Sequence, residues 1–201
     1  MNHDHRLLVI DTATDMLSIA LFDRGVLIDH RHELLGRGHA ERLVPAIAEL
    51  DGGGRAAEIR VDRGPGSFTG VRIGLAAARG LALAWGGRIR TFDVAALMLA
   101  SSPSSGVAME GGHGEWIVGP LAGPGRLRAF SPQQAAAVIE NRAVIGPRAA
   151  ELVALRGWGQ AIEGLPDARN GAKLCAEDLS EVLSPQYARG PDATLPAPRN
   201  V

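Results

Sequence analysis

Residues Ile59–Trp85 read IRVDRGPGSFTGVRIGLAAARGLALAW. The stretch divides into a short apolar strand, Ile59–Asp62, a turn, Gly64-Pro65-Gly66-Ser67, and a helix from Phe68 to about Trp85. Gly64 and Gly66 allow backbone angles that a side chain would penalise. Ser67 is an N-cap, because its hydroxyl can accept from an unpaired amide of the first turn. Gly86-Gly87 is the stop signal. Gly70, Gly74 and Ala78 recur every four residues and so share one helical face. Each helical glycine costs roughly 0.5–1 kcal/mol relative to alanine. Close approach of a second backbone is the expected offset. The turn could also receive an anion, since a helix N-terminus presents free amides and partial positive charge.

Working outward, the preceding chain reads as three strands and a helix. Leu7–Ile10 is a compact apolar run, broken by Asp11-Thr12-Ala13-Thr14. Leu17–Phe22 is a second strand, Asp23-Arg24-Gly25 a hairpin signal, and Val26–Glu33 a third strand whose mixed pattern suits a sheet edge. His39–Leu50 places Leu43, Ala46, Ile47 and Leu50 on one helical face, with Pro45 inside it. After the central helix come a strand, Arg88–Phe92, and a helix capped by Asp93 and running to about Ala100. The order is β-β-β-α-β-α-β-α.

Ser101–Gly106 is a linker by composition. The expected division is a first domain over 1–100, a smaller α/β domain over 101–184, and an extended proline-rich tail over 185–201. In the second domain, Val107–Met109, Glu115–Val118, Leu127–Phe130 and Ala143–Ile145 read as strands. Pro132–Ile139, Arg148–Arg156 and Ala172–Leu183 read as helices. Cys175, inside the last of these, is expected to be a buried small apolar residue. No internal repeat is visible.

Composition sets the class. The chain has 201 residues, 46% of them hydrophobic, and a net charge of −1. A packed core is feasible. The near-neutral balance argues against a dedicated nucleic-acid-binding surface while leaving room for a local patch. One cysteine forbids an internal disulfide. The N-terminal MNHDHRLLVID is too short for a signal-peptide core or a membrane span, so a cytosolic protein is expected.

Three motifs together resemble one family. They are Asp11-Thr12-Ala13-Thr14, His39-Ala40-Glu41 with Pro45 on the first helix, and Gly64-Pro65-Gly66-Ser67-Phe68-Thr69-Gly70-Val71-Arg72 with Gly74. The tail pattern Pro185-x-Tyr187-x-Arg189-x-x-x-Ala193 adds to them. The family is TsaB, the dimerisation subunit of the bacterial machinery that makes threonylcarbamoyladenosine in tRNA. The N-terminal match covers about half the chain. Where family members commonly carry Asp-Ala-Arg between two strands, this chain has Met109-Glu110-Gly111-Gly112-His113.

The resemblance implies the actin/Hsp70/sugar-kinase (ASKHA) fold, with two related domains. It implies a non-catalytic subunit with no cofactor. Its partners would be the catalytic paralogue TsaD, the ATPase TsaE, a second copy of itself when alone, and tRNA only indirectly, with no membrane. TsaD would transfer threonylcarbamoyl to N6 of an adenosine in tRNAs that read codons starting with A. The helices His39–Leu50 and Phe68–Trp85 would form a bundle across the subunit boundary. The interface residues would be His39, Leu43, Ile47, Gly70, Arg72, Gly74 and Ala78.

The alternative is a small kinase or ATPase of the same fold, with Asp11 and Thr12 as nucleotide-site candidates. Kinases of this fold place glycine soon after that aspartate, whereas Thr12-Ala13-Thr14 crowds the approach. The bland reading is that Asp11 and Thr12 tie off a strand end. His39 lacks a histidine four residues on, where Leu43 stands, and a lone histidine cannot hold a metal. No metal site is therefore expected.

Overall fold

The computed structural model describes residues 3–121 and 126–188. Its first sheet contains β1 (Arg6–Asp11), β2 (Met16–Asp23), β3 (Val26–Leu34), β4 (Glu58–Asp62) and β5 (Arg88–Phe92), in the order β3-β2-β1-β4-β5. β1 to β3 form an antiparallel meander, while β4 and β5 join parallel to β1. β1 is apolar without alternation because both its faces are covered. Leu8 and Ile10 face one core, and Val9 faces another with Ala20, Phe22 and Phe92. Continuous apolar runs are the mark of strands buried on two sides.

The β2–β3 hairpin turns through Arg24 and Gly25, whose φ values are 49° and 80°. Two positive φ values in a two-residue loop match the right-handed twist of the strands. β3 is the free edge, with Val26, Leu27 and Ile28 exposed. Helix α1 (His39–Ala48) and helix α2 (Phe68–Trp85) lie over this sheet, and α3 (Val94–Leu99) follows β5. The end signals are local. Ser67 Oγ accepts from Gly70 N at 3.2 Å, Gly86 closes α2 at φ 70°, and Asp93 accepts from Ala96 N at 3.1 Å.

The second sheet contains β6 (Gly106–Glu110), β7 (Trp116–Gly119), β8 (Arg128–Phe130), β9 (Ala143–Ile145) and β10 (Gln160–Ile162), in the order β10-β9-β6-β7-β8. β6 to β8 form an antiparallel meander, and β9 and β10 are parallel to β6. Helix α4 (Pro132–Val138) precedes β9, and α5 (Ala149–Arg156) precedes β10. The second half therefore repeats the topology of the first, strand for strand and crossover for crossover. This is the two-domain actin/Hsp70-like architecture. In the sequence the repeat shows in the order of elements, β-β-β-α-β-α in both halves, and in one residue echo. Gly64-Pro65 follows β4, and Gly146-Pro147 follows the equivalent β9.

One core runs between the halves. Val107, Met109, Ile117, Leu127 and Ile145 of the second sheet pack in the same cluster as Ile10, Val61, Leu75 and Met98. The other face of the second sheet is closed by α4 and α5 over Trp116, Val118 and Val144. The chain then returns to the first sheet, where Ala168 and Leu174 pack beside Val9 and Phe92. No helix among the described residues is long and apolar enough to cross a membrane.

Two expectations for this return segment fail. Residues 172–183 are not an α-helix; 3-10 turns occupy Ala168–Lys173 and Ala176–Asp178. Arg60 donates to the carbonyls of Gly171 and Leu174, which an α-helix would need for its own ladder. Cys175 is exposed rather than buried, and its thiol donates to Asp178. The strand β10 has no counterpart in the sequence reading, being three residues with no pattern of its own. Of the tail, residues 185–188 are described, while Arg189 and Ala193 lie outside the described residues.

Candidate functional site

The motif residues converge where β1 and β4 end side by side. Both strands point the same way, so Asp11 and Asp62 meet at their C-terminal ends, each fully buried. Asp62 accepts from Thr12 N at 3.0 Å through Oδ2 and from Gly64 N at 3.1 Å through Oδ1. Asp11 Oδ1 accepts from Ala13 N at 3.2 Å, and Oδ2 has no hydrogen-bond partner. Burial pushes the Asp11 carboxyl well above its usual range, and the charges of Asp62 and Asp167 push it further. Burial raises Asp62 to about 6. Two adjacent buried carboxyls oppose each other's ionisation, so the pair holds protons more tightly than free aspartates do.

The turn after β1 also closes the N-terminus of α2. Ser67 N donates to the Ala13 carbonyl at 2.6 Å, and Thr12 Oγ1 donates to the Gly70 carbonyl at 2.8 Å. A Cβ on Gly70 would collide with the Thr12 carbonyl. One on Gly74 would stand 2.5 Å from Thr12 Oγ1 and 3.4 Å from Val61. The glycine face therefore packs against the protein's own first and fourth strands. The expectation that Gly70, Gly74 and Ala78 line a surface offered to a partner is corrected on this point. The crossover from β4 to β5 lays α2 back over β4 and β1, and its small residues let it settle against Thr12.

Leu43 and Ile47 are corrected in the same way. They are buried under α1, at 0% and 1% exposure. His39 is also buried, and its Nε2 donates to the Met16 carbonyl at 3.2 Å, tying the start of α1 to β2. Among the described residues no group of three or more His, Cys, Asp or Glu side chains is placed to hold a metal ion. Asp11 and Thr12, the nucleotide candidates, sit under the turn with their polar groups largely committed within the chain.

The face of α2 that points outward carries Ala76, Gly80 and Leu83, one stripe by helical spacing. Leu83 is 88% exposed, and Gly80 has nothing within 4 Å of a built Cβ. On α1, Val44 is also exposed. Sequence reasoning missed these residues. The available signal was apolar residues out of phase with the buried stripes of their helices.

Arg72 is exposed as expected, but it faces the C-terminal segment. It donates to the Tyr187 hydroxyl and lies 3.3 Å from the centroid of the Phe68 ring. Elsewhere, a cleft of about 840 Å³ lies between the halves, lined in part by His32, Ser102, Gly146, Ala150, Asp167 and Asn170.

Comparison with known proteins agrees with this geometry. The family model described as "TsaD: tRNA N6-adenosine threonylcarbamoyltransferase" matches residues 32–140, just over half of the chain. The Escherichia coli K12 protein "tRNA threonylcarbamoyladenosine biosynthesis protein TsaB" is 42% identical over 98 residues, 46% of this chain and 41% of that protein. The Bacillus subtilis 168 protein of the same name is 32% identical over 120 residues, 57% of this chain and 48% of that protein. The matched stretch thus spans less than half the length of these curated relatives. Among solved structures, "YeaZ from Pseudomonas aeruginosa" superposes with a TM-score of 0.68 at 26% identity, covering 90% of this chain and 99% of that one. With motif, fold and relatives in agreement, the chain belongs to the TsaD family, and within it is similar to the TsaB and YeaZ proteins.

Proposed function

We propose that the chain is a non-catalytic subunit of the cytoplasmic machinery that makes threonylcarbamoyladenosine in tRNA. It acts by docking the outward face of α1 and α2 against the catalytic paralogue TsaD. The observation that carries this reading is the bare stripe of Ala76, Gly80 and Leu83 on α2, with Val44 also exposed on α1. Leaving Val44 and Leu83 exposed forgoes roughly 1.5–3 kcal/mol of burial apiece. A partner helix offsets that loss, and Ala76 and Gly80 let it come close. The names of the relatives supply the pathway. In the absence of TsaD a second copy of the chain covers the same face, and the ATPase TsaE joins the assembled pair.

The test is co-purification of TsaD with the chain, followed by a tRNA modification assay with and without it. Leu83→Glu should leave the fold intact and reduce both association and modification at least tenfold. Unchanged association would remove the docking face from the account, and TsaD reaching full turnover alone would remove the subunit role. A second reading, a nucleotide-binding ATPase or kinase of the same fold, draws on the cleft between the halves. Stoichiometric ATP binding by the isolated chain in calorimetry would favour it.

A further inference from the structure

Residues 182–188 lie as a strap from the edge of the first sheet to the edge of the second. Thr91 Oγ1 donates to the Val182 carbonyl at 3.0 Å, Gln186 N donates to the Arg63 carbonyl at 2.7 Å, and Ala129 N donates to the Ala188 carbonyl at 3.4 Å. Arginines gather along it. Arg79 donates to the Leu183 carbonyl at 2.6 Å, Arg63 to Gln186 Oε1 at 3.0 Å, and Arg72 to the Tyr187 hydroxyl. Arg128, beside the residue that bonds Ala188, lies 5.2 Å over the Phe130 ring. Arg63, Arg72 and Arg79 thus all bond the strap, between residues 183 and 187.

None of the four is within ion-pair distance of a carboxylate among the described residues. On other faces the arginines pair, as Arg42 does with Glu33 and Glu49. A guanidinium bonded to carbonyls, a hydroxyl or a ring keeps its whole charge. These arginines stand without an ion-pair partner among the described residues, while Glu181 directly precedes the strap and Asp178 acts on Asp93. Asp93, on which Arg63 also acts, is mostly buried and accepts from the amide of Ala96. Within this face stand two exposed aromatics, Phe68 at 64% and Tyr187 at 51%, with ring centroids 6.1 Å apart and planes at 27°. Arg72 lies against both rings.

We infer that this strap face binds RNA directly. The arginines hold backbone phosphates, and unpaired bases stack on Phe68 and Tyr187. Arginines without carboxylate partners beside exposed aromatic rings are the chemistry that holds unstacked strands. An acidic protein segment would use the charge but not two open rings. The choice of RNA over DNA rests on the function proposed above.

The test is fluorescence anisotropy of the full chain with an unmodified tRNA transcript between about 50 and 200 mM salt. The double variant R72Q/R79Q should bind about tenfold more weakly. Its log–log salt slope should be shallower by about 0.7–0.9 for each phosphate it no longer neutralises. The variant F68L/Y187L should also bind more weakly but keep the slope, because it removes stacking and no charge. R72K/R79K, which guards against misfolding, should keep the slope. Absence of tRNA binding by the wild-type chain at the lowest salt would overturn the inference. So would an R72Q/R79Q slope equal to wild type, or tighter capture of polyglutamate than of tRNA. TsaD co-purification is measured on the same variants. Abolished RNA binding with retained association isolates the strap, whereas failure of the wild-type chain to associate counts against the subunit role instead.

Discussion

At the scale of single residues, the buried Asp11–Asp62 pair has the clearest physical consequence. Both carboxyls titrate above their unfolded values, so the native state binds more protons than the unfolded chain. Stability from this pair is then full below the unfolded carboxylate range and falls as pH rises through about 6, the loss from Asp11 having the same sign. Arginine-paired carboxylates such as Glu33 and the buried Glu58 act in the opposite sense, and their contribution is lost on acidification. Asp11→Asn keeps the size and polarity of the side chain and removes its titration. Its stability relative to wild type should grow with pH, near zero at about pH 4 and positive at about pH 8, in urea melts at several pH values. A constant difference across that range would mean that Asp11 ionises normally.

At the scale of the element, α2 carries glycines with opposite meanings. Gly74 has Thr12 Oγ1 at 2.5 Å from a built Cβ, while Gly80 has open space. Gly74→Ala gains helix propensity but breaks the Thr12–Gly70 bond and pushes the helix off β1, for a net loss of about 1–3 kcal/mol. Gly80→Ala should stabilise the chain by roughly 0.5–1 kcal/mol, since it gains propensity and meets nothing. Chemical denaturation of the two variants checks both signs, and equal effects would mean that α2 sits further from the strand ends. Gly80→Ala also adds a methyl group to the proposed docking stripe, so its gain as an isolated chain should come with weaker association.

At the scale of the whole molecule, two sheets of identical topology share one core, and the C-terminal segment returns to the first sheet. Neither half closes its apolar surface alone. Thermal unfolding should therefore be one transition, with Trp fluorescence and far-UV circular dichroism coincident. Trp85 reports from the first half and Trp116 from the second. Ile145→Ala, in the shared cluster, should cost about 2–5 kcal/mol and shift both probes together. Two resolved transitions would show that the halves fold independently.

The sequence by itself determined the first half of the fold. Ser67, Asp93, Gly86 and the Arg24-Gly25 turn act on neighbours a few residues away, so their meaning is local and readable. The motif string was likewise enough to point to the family. Four of the five strands and both helices of the second half were legible as well, whereas β10, three residues with no period, was hidden, and so was the pairing that makes the second sheet repeat the first. The helix misread at 172–183 depended on Arg60, more than a hundred residues away, taking its carbonyls. Periodicity found the stripe of Gly70, Gly74 and Ala78 but not its direction. Only the tertiary structure decided that, because a helix's rotation about its axis is set by the strands beneath it. The side left facing water follows from the same choice.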